Sequence, residues 1–337
     1  LRTSPLMPVL FLALCLTSTF LTETCAQETT PGADEDHFSL MPNKIPKLQI
    51  DMKTMGGRQF WGDVLFFRGY RIQQNVLTQH YRLLDPEDIR REWGTEQDCA
   101  QALQKIIDEK KLSAMSGKAV ILIHGIIRSS KSFSKMQVAL EKDGYTVIGF
   151  DYPSTRMTMA ESADFLTKTI ASLHGIQQID LVCHSMGGLL VRTYLREKGK
   201  DRDPRIQRLV MMGTPNQGAR MANLVENNLA YQWIFGPAGK ELKKNEQGVI
   251  ASLPIPDFEF GIVAGARNTE DGWNPLVPGD DDGTVAVESA KLSGAKDFMT
   301  VSSLHSFVTE DSEGIEGVRR FLKTGCFREN GICQPIE

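Results

Sequence analysis

From residue 118 onward the chain alternates short, nearly unbroken apolar runs with amphipathic stretches, and this rhythm narrows the available folds more than any other feature. The runs are Ala119 to Ile123, Thr146 to Phe150, Ile179 to Cys183, Arg208 to Met212, Phe260 to Ala264 and Phe298 to Ser302. Helical periodicity falls between them, near 131 to 142, 158 to 173, 187 to 198 and 285 to 292. A strand buried on both faces reads as a continuous apolar run, and parallel neighbours need a long crossover, usually a helix. The expectation is an α/β domain over 118–337 built on a doubly wound, mostly parallel sheet.

Upstream, residues 47–117 are expected to form an N-terminal β-hairpin and helix packed on that domain. Aromatic or aliphatic residues alternate with polar ones from Phe60 to Leu84 around Arg68-Gly69, and Leu103, Ile106, Ile107 and Leu112 recur at helical spacing. Residues 27–46 are polar and interrupted by Pro31, Pro42 and Pro46, the composition of a flexible linker. Residues 1–26 place Arg2 before an apolar run from Leu6 to Leu21 and end in small and polar residues at Ala26, the order of a secretory signal peptide. The run falls short of the roughly 20 apolar residues of a membrane span, so a secreted or periplasmic location is expected rather than a membrane anchor. Disulfides persist in such compartments, and Cys326 and Cys333, either side of a turn-like Arg328 to Gly331, are expected to be bonded. The formal net charge is −4 and there is no basic block, which removes any electrostatic reason to expect a nucleic-acid partner.

The chemistry concentrates in Ile179-Asp180-Leu181-Val182-Cys183-His184-Ser185-Met186-Gly187-Gly188. A serine between a buried strand and a helix, with small residues beside it, can sit on a sharp turn that lifts its hydroxyl above the sheet. The glycines let the helix start close to the strand without a Cβ clash. This stretch resembles the α/β-hydrolase family, and within it the lipase-like serine esterases whose elbow reads Gly-His-Ser-Met-Gly; here Cys183 stands where the first glycine is usual. The resemblance covers about residues 118 to 322. It extends to Val120-Ile121-Leu122-Ile123-His124-Gly125-Ile126-Ile127, and it implies an oxyanion hole made by the backbone N–H groups of Ile126 and Met186. It extends also to Met212-Gly213-Thr214-Pro215-Asn216-Gln217-Gly218, where Asn216 replaces a histidine of the relatives.

In this fold the triad runs Ser, then Asp or Glu, then His along the chain. Of six histidines only His305 follows Ser185, which makes it the expected base. The Asp-Gly-x-Val segment of the relatives matches here at Asp282, with Asp280 and Asp281 as adjacent rivals for the orienting carboxylate. Three neighbouring aspartates also raise a calcium loop, although the spacing of an EF-hand fails at Pro278 and Ser289. No metal and no organic cofactor are expected.

Residues 219–256 interrupt the strand rhythm and gather Met221, Leu224, Val225 and Leu229 near Tyr231, Trp233, Ile234 and Phe235, a lid-like insertion or an ordinary packed helix and loop. The combined expectation is a lipase or esterase acting on lipid-like esters, with transient contact at a lipid interface. An acyltransferase, a thioesterase, an amidase or a non-catalytic binding module on the same fold remain alternatives, because fold and triad do not name the acyl donor or acceptor.

Overall fold

The computed structural model describes residues 58–217 and 249–337. The expected leader 1–26, the linker 27–46 and most of the insertion 219–256 lie outside the described residues. Among those described, no helix is long and apolar enough to cross a membrane.

The main sheet holds six strands, β5 (Gly117–Ile123), β6 (Thr146–Phe150), β7 (Ile176–His184), β8 (Ile206–Met212), β9 (Glu259–Gly265) and β10 (Asp297–Val301). Their order across the sheet is β10-β9-β8-β7-β5-β6, and each adjacent pair is parallel. The chain steps outward from β5 to β6, then returns to the far side of β5 and proceeds through β7 to β10. This is the doubly wound α/β-hydrolase type of sheet expected from the sequence, and its direction reverses between β5 and β7. In such sheets the crevice beyond the carboxyl ends of the strands at the reversal is where ligands bind.

Successive side chains of one strand serve two cores. Ala119, Ile121 and Ile123 belong to the larger core, with Phe165, Leu166 and Ile170 of α3 (Met159–Ser172) and Leu189, Leu190 and Tyr194 of α4 (Met186–Lys198). Val120 and Leu122 face the second core, with Met136 and Leu140 of α2 (Ser134–Lys142) and Val318 and Phe321 of a C-terminal helix, Ser312–Thr324. The alternation follows from the two-residue period of a strand, and covering both faces with helices leaves each run continuously apolar. The helix Ser312–Thr324 is not among those expected from periodicity. Gly314 and Gly317 dilute its helical signal, yet a Cβ at Gly317 would lie 2.6 Å from Met299 Sδ, so the glycine allows close packing on β10. Asp311 caps its start by accepting the Gly314 N–H, and Gly325 ends it in the left-handed conformation.

The N-terminal part is larger than the expected hairpin. A four-stranded antiparallel sheet comprises β1 (Trp61–Phe67), β2 (Tyr70–Asn75), β3 (Tyr81–Leu84) and β4 (Arg90–Gly94), followed by α1 (Glu96–Lys110). Arg68 and Gly69, both at positive φ, form the tight turn between β1 and β2. The charged β4 escapes an alternation argument because it lies at the sheet edge with its apolar content reduced to Trp93. The helix expected over 285–292 is shorter, Val287–Ala290, designated α6 after α5 (Val249–Ser252). An Asp281–Ala286 bridge and bonds from the Thr284 and Val285 N–H groups to Asp282 hold the preceding residues extended. The C-terminal helix Ser312–Thr324 is accordingly α7. Beyond it, Cys326 and Cys333 are joined as a disulfide.

Arg192, in the middle of α4, is 2% exposed. Its guanidinium donates to the backbone carbonyls of Asn216, Ile250, Leu253 and Pro254 and to the Asn216 side chain, at 2.7 to 3.4 Å. All these acceptors are neutral, and burial lowers its pKa to about 10. One cation therefore ties the loop after β8 to the chain that leads into β9. Arg192→Met is expected to reduce the unfolding free energy by about 3 kcal/mol or more, since each buried carbonyl left without a donor costs about 1–3 kcal/mol. Urea unfolding checks this; an unchanged midpoint would mean that the carbonyls find other donors.

Candidate active site

Ser185 is the single residue between β7 and α4, at φ 54 and ψ −126. Left-handed backbone at a residue with a Cβ carries strain, and it persists only where the surroundings over-determine it. The Ser185 N–H donates to the Met212 carbonyl at 2.9 Å, and the Gly188 N–H returns to the Ser185 carbonyl at 3.0 Å. A Cβ at Gly187 would lie 2.5 Å from the Ile123 carbonyl oxygen, and one at Gly188 would lie 2.2 Å from Thr214 Oγ1. Neither position can accept a side chain without moving the elbow. Cys183 occupies the place of the missing glycine as a buried core residue whose thiol donates to the Val210 carbonyl. Burial pushes that thiol upward in pKa, which removes it as a nucleophile.

The elbow brings Ser185 to His305. His305 Nε2 is 2.9 Å from Ser185 Oγ, and its Nδ1 is 2.7 Å from Asp282 Oδ2. With a carboxylate accepting at Nδ1, the proton sits there and Nε2 is free to accept from the serine hydroxyl. Asp282 is 1% exposed and takes two further bonds on Oδ1, from the Thr284 and Val285 N–H groups at 3.0 and 2.7 Å. The His305 N–H also donates to the Asp282 carbonyl at 2.8 Å, so backbone and side chain hold the pair together.

The rival aspartates face elsewhere. Asp280 accepts the N–H groups of Arg267 and Asn268, and Asp281 accepts those of Asn274 and Gly283. Three neighbouring carboxylates thus serve three loops rather than converging on a common centre. Asn216 is buried as well; its amide donates to the Ala290 carbonyl and its oxygen accepts from Arg192, so it fastens the loop after β8 to α6.

His124 makes its contacts away from the Ser185 hydroxyl. Its ring stacks on Tyr152 at 4.4 Å, Nε2 accepts the Tyr152 N–H, and Nδ1–H donates to the Gly125 carbonyl. This fixes the entrance to the loop Gly125–Arg128. A Cβ at Gly125 would lie 3.0 Å from Ser185 Cβ, so the loop carrying Ile126 runs directly beside Ser185. Met186, the first residue of α4, has an N–H with no carbonyl to meet within the helix, at the end that favours negative charge.

One residue at the site is missed by chain-order reasoning. His184 precedes Ser185, so elimination passes over it, yet its ring centroid lies 4.7 Å from that of His305 and its Nε2 donates to the His305 carbonyl at 2.9 Å. Its Nδ1 has no hydrogen-bond partner. Burial, then the neighbouring His305, lowers its pKa well below 6.5, and the ring stays neutral. The signal available in the sequence is its position at the last residue of a buried strand, where a polar side chain needs a partner.

A family model described as a domain of unknown function, DUF7379, matches residues 82–230. Among curated proteins the chain is similar to the lysosomal thioesterase PPT2-B of Xenopus laevis, 33% identical over 91 residues, which are 25% of this chain and 32% of that protein. The chain thus spans about a third of the length of that relative. Among solved structures it is similar to the lipase BlEst2 of Bacillus licheniformis in its mature form. The identity is 19%, the TM-score 0.46, and the match covers 61% of this chain and 90% of the other. A second is the lin2722 product of Listeria innocua, at 22% identity and TM-score 0.43, covering 62% of this chain and 94% of that one.

The neutral His184 links the site to acid stability. The unfolded chain takes up a proton on this ring near 6.5 and the folded chain does not. The stability it contributes is therefore full above that value and is lost as the pH falls below it. His184→Gln, which keeps an N–H for the His305 carbonyl, is expected to show a shallower fall in Tm between about pH 7 and pH 5 than the parent. Parallel Tm profiles would assign the acid sensitivity to other groups.

Proposed function

We propose that this chain is a serine carboxylic-ester hydrolase of the lipase or esterase type, and that Ser185, His305 and Asp282 are its catalytic triad. The observation that carries the reading is the continuous hydrogen-bond path from Ser185 Oγ through His305 to a buried carboxylate, with the serine on a strained turn at the reversal of the sheet.

Ser185 Oγ attacks the ester carbonyl carbon while its proton passes to His305 Nε2. The carbonyl π electrons move onto oxygen, and the resulting oxyanion is met by the N–H groups of Met186 and Ile126. Donors aimed in advance at such charge are worth about 3 to 4 kcal/mol each in the transition state. Asp282 holds the ring in its Nδ1–H tautomer and stabilises the imidazolium. Collapse of the tetrahedral species breaks the bond to the alcohol, which leaves with the proton from Nε2. Water then repeats the sequence on the acyl-enzyme and restores Ser185.

The exposed apolar side chains near the triad support lipid-like esters as substrates and transient contact with a lipid interface. Leu304 and Phe307 flank His305, Ile127 lies in the turn Gly125–Arg128, and Trp273 and Leu304 both lie beside Gly283; Leu304, Phe307, Ile127 and Trp273 are each at least 40% exposed. The likeness to a thioesterase over 91 residues favours thioesters as the second substrate class, processed by the same steps with a thiol as leaving group. Export to an oxidising compartment is part of the proposal, supported by the Cys326–Cys333 disulfide.

Ser185→Ala is expected to lower kcat on p-nitrophenyl esters by a factor on the order of 10⁵ to 10⁶ with the circular dichroism spectrum unchanged, and Asp282→Asn by about 10⁴. A Ser185→Ala enzyme that retains most of its turnover removes the assignment. Parallel acyl series of oxygen and sulfur esters, from short to long chains, rank the two substrate classes.

A further inference from the structure

Ile127 is a β-branched residue at φ 62, third in the turn Gly125–Arg128, which is closed by the Arg128 N–H on the Gly125 carbonyl at 3.3 Å. Turns that need positive φ at this position ordinarily take glycine or asparagine. An isoleucine there is a true outlier. Its side chain does not account for the conformation, because it is 48% exposed. The backbone does. The Ile127 N–H donates to Ser154 Oγ at 3.1 Å, and Ser154 is fully buried in the loop after β6.

That hydroxyl passes the contact on to the N-terminal segment. Ser154 Oγ donates to Gln59 Oε1 at 2.9 Å, and the same oxygen accepts the N–H and hydroxyl of Thr155 at 3.1 and 3.0 Å. The other end of the amide, Gln59 Nε2, donates to the Arg128 carbonyl at 3.3 Å. Gln59 therefore spans the gap between the post-β6 loop and the turn beside Ser185, with three bonds on the first and one on the second. A second tie runs parallel: the Ser130 N–H donates to one oxygen of Asp151 at 2.7 Å, while the other oxygen accepts from Arg71 of β2 at 3.0 Å.

We propose that Gln59 and Ser154 are positioning residues for the oxyanion hole. Their relay holds Ile127 left-handed and occupies its N–H, so that the N–H of the preceding Ile126 is the one left to face the serine. Without the relay, Ile127 relaxes toward ordinary φ, the turn opens, and the Ile126 donor moves off the position where negative charge develops. The segment leading into β1 thereby takes part in the reaction although it supplies no group that touches substrate. This inference rests on the serine-hydrolase reading of Ser185.

The test uses the full chain with Ser154→Ala and, at a half-buried position that is less of a risk to folding, Gln59→Leu. Steady-state kinetics on a p-nitrophenyl ester and the rate of inactivation by a fluorophosphonate are measured beside Tm. The expected result is a fall in kcat of about tenfold to a hundredfold with KM changed by less than about twofold, and phosphonylation slowed in step. Adding Ile127→Asn to Ser154→Ala is expected to return part of the lost rate, because asparagine accepts the left-handed backbone unaided. Unchanged kcat in both variants, or a loss that tracks Tm and that Ile127→Asn leaves untouched, overturns the relay. A parent enzyme that the fluorophosphonate does not label at Ser185 removes the hydrolase reading itself, whereas a labelled parent with equally fast variants removes the relay alone.

Discussion

The approach of α4 onto the carboxyl end of β5, with Gly187 against the Ile123 carbonyl, is the contact from which the geometry of the site follows. At that distance no Cβ fits, and the chain can enter the helix only if Ser185 takes a left-handed backbone. The strained residue then has its hydroxyl raised over the sheet, its N–H taken by Met212, and the first turn of a helix directly behind it. Bonds within one rigid sheet make the strain affordable, since β7 lies between β5 and β8 and is paired to both.

Around that point the molecule spends buried polar groups where loops must be held still. Asp282, His184, His124 and Ser154 are all nearly or fully buried, and each makes at least one hydrogen bond to backbone, with Val285, His305, Gly125 and Ile127 in turn. The same logic governs the Asp63, Arg71 and Asp151 group, which joins β1 and β2 to the loop after β6. Burial raises the Asp63 carboxyl to about 6 against the pull of Arg71, so the cluster holds its charge most firmly above that value. Loops secured in this way hold in place the sheet edge that carries Ser185 and His305.

The strands of the main sheet were legible because burial on both faces writes itself as unbroken apolar text, and Ser185 because a serine with two glycines can follow a strand in few other ways. His305 was legible by chain order. What stayed hidden depends on side chains that sequence spacing cannot bring together. Asp282 differs from Asp280 and Asp281 only in the loop that each faces, and Ile127 reads as one more apolar residue at the end of a strand. The helix Ser312–Thr324 was obscured by glycines whose value lies in contact with β10, and β4 by its charge. For Asp282, Ile127 and this helix the deciding partner, His305, Ser154 and Met299 in turn, is more than ten residues away in the chain.

The Arg192 guanidinium holds Asn216 and the carbonyls of Ile250, Leu253 and Pro254, so the described chain on either side of residues 218–248 is fixed to one shared anchor. Tension on either end is met at this one side chain before it reaches β8 or β9.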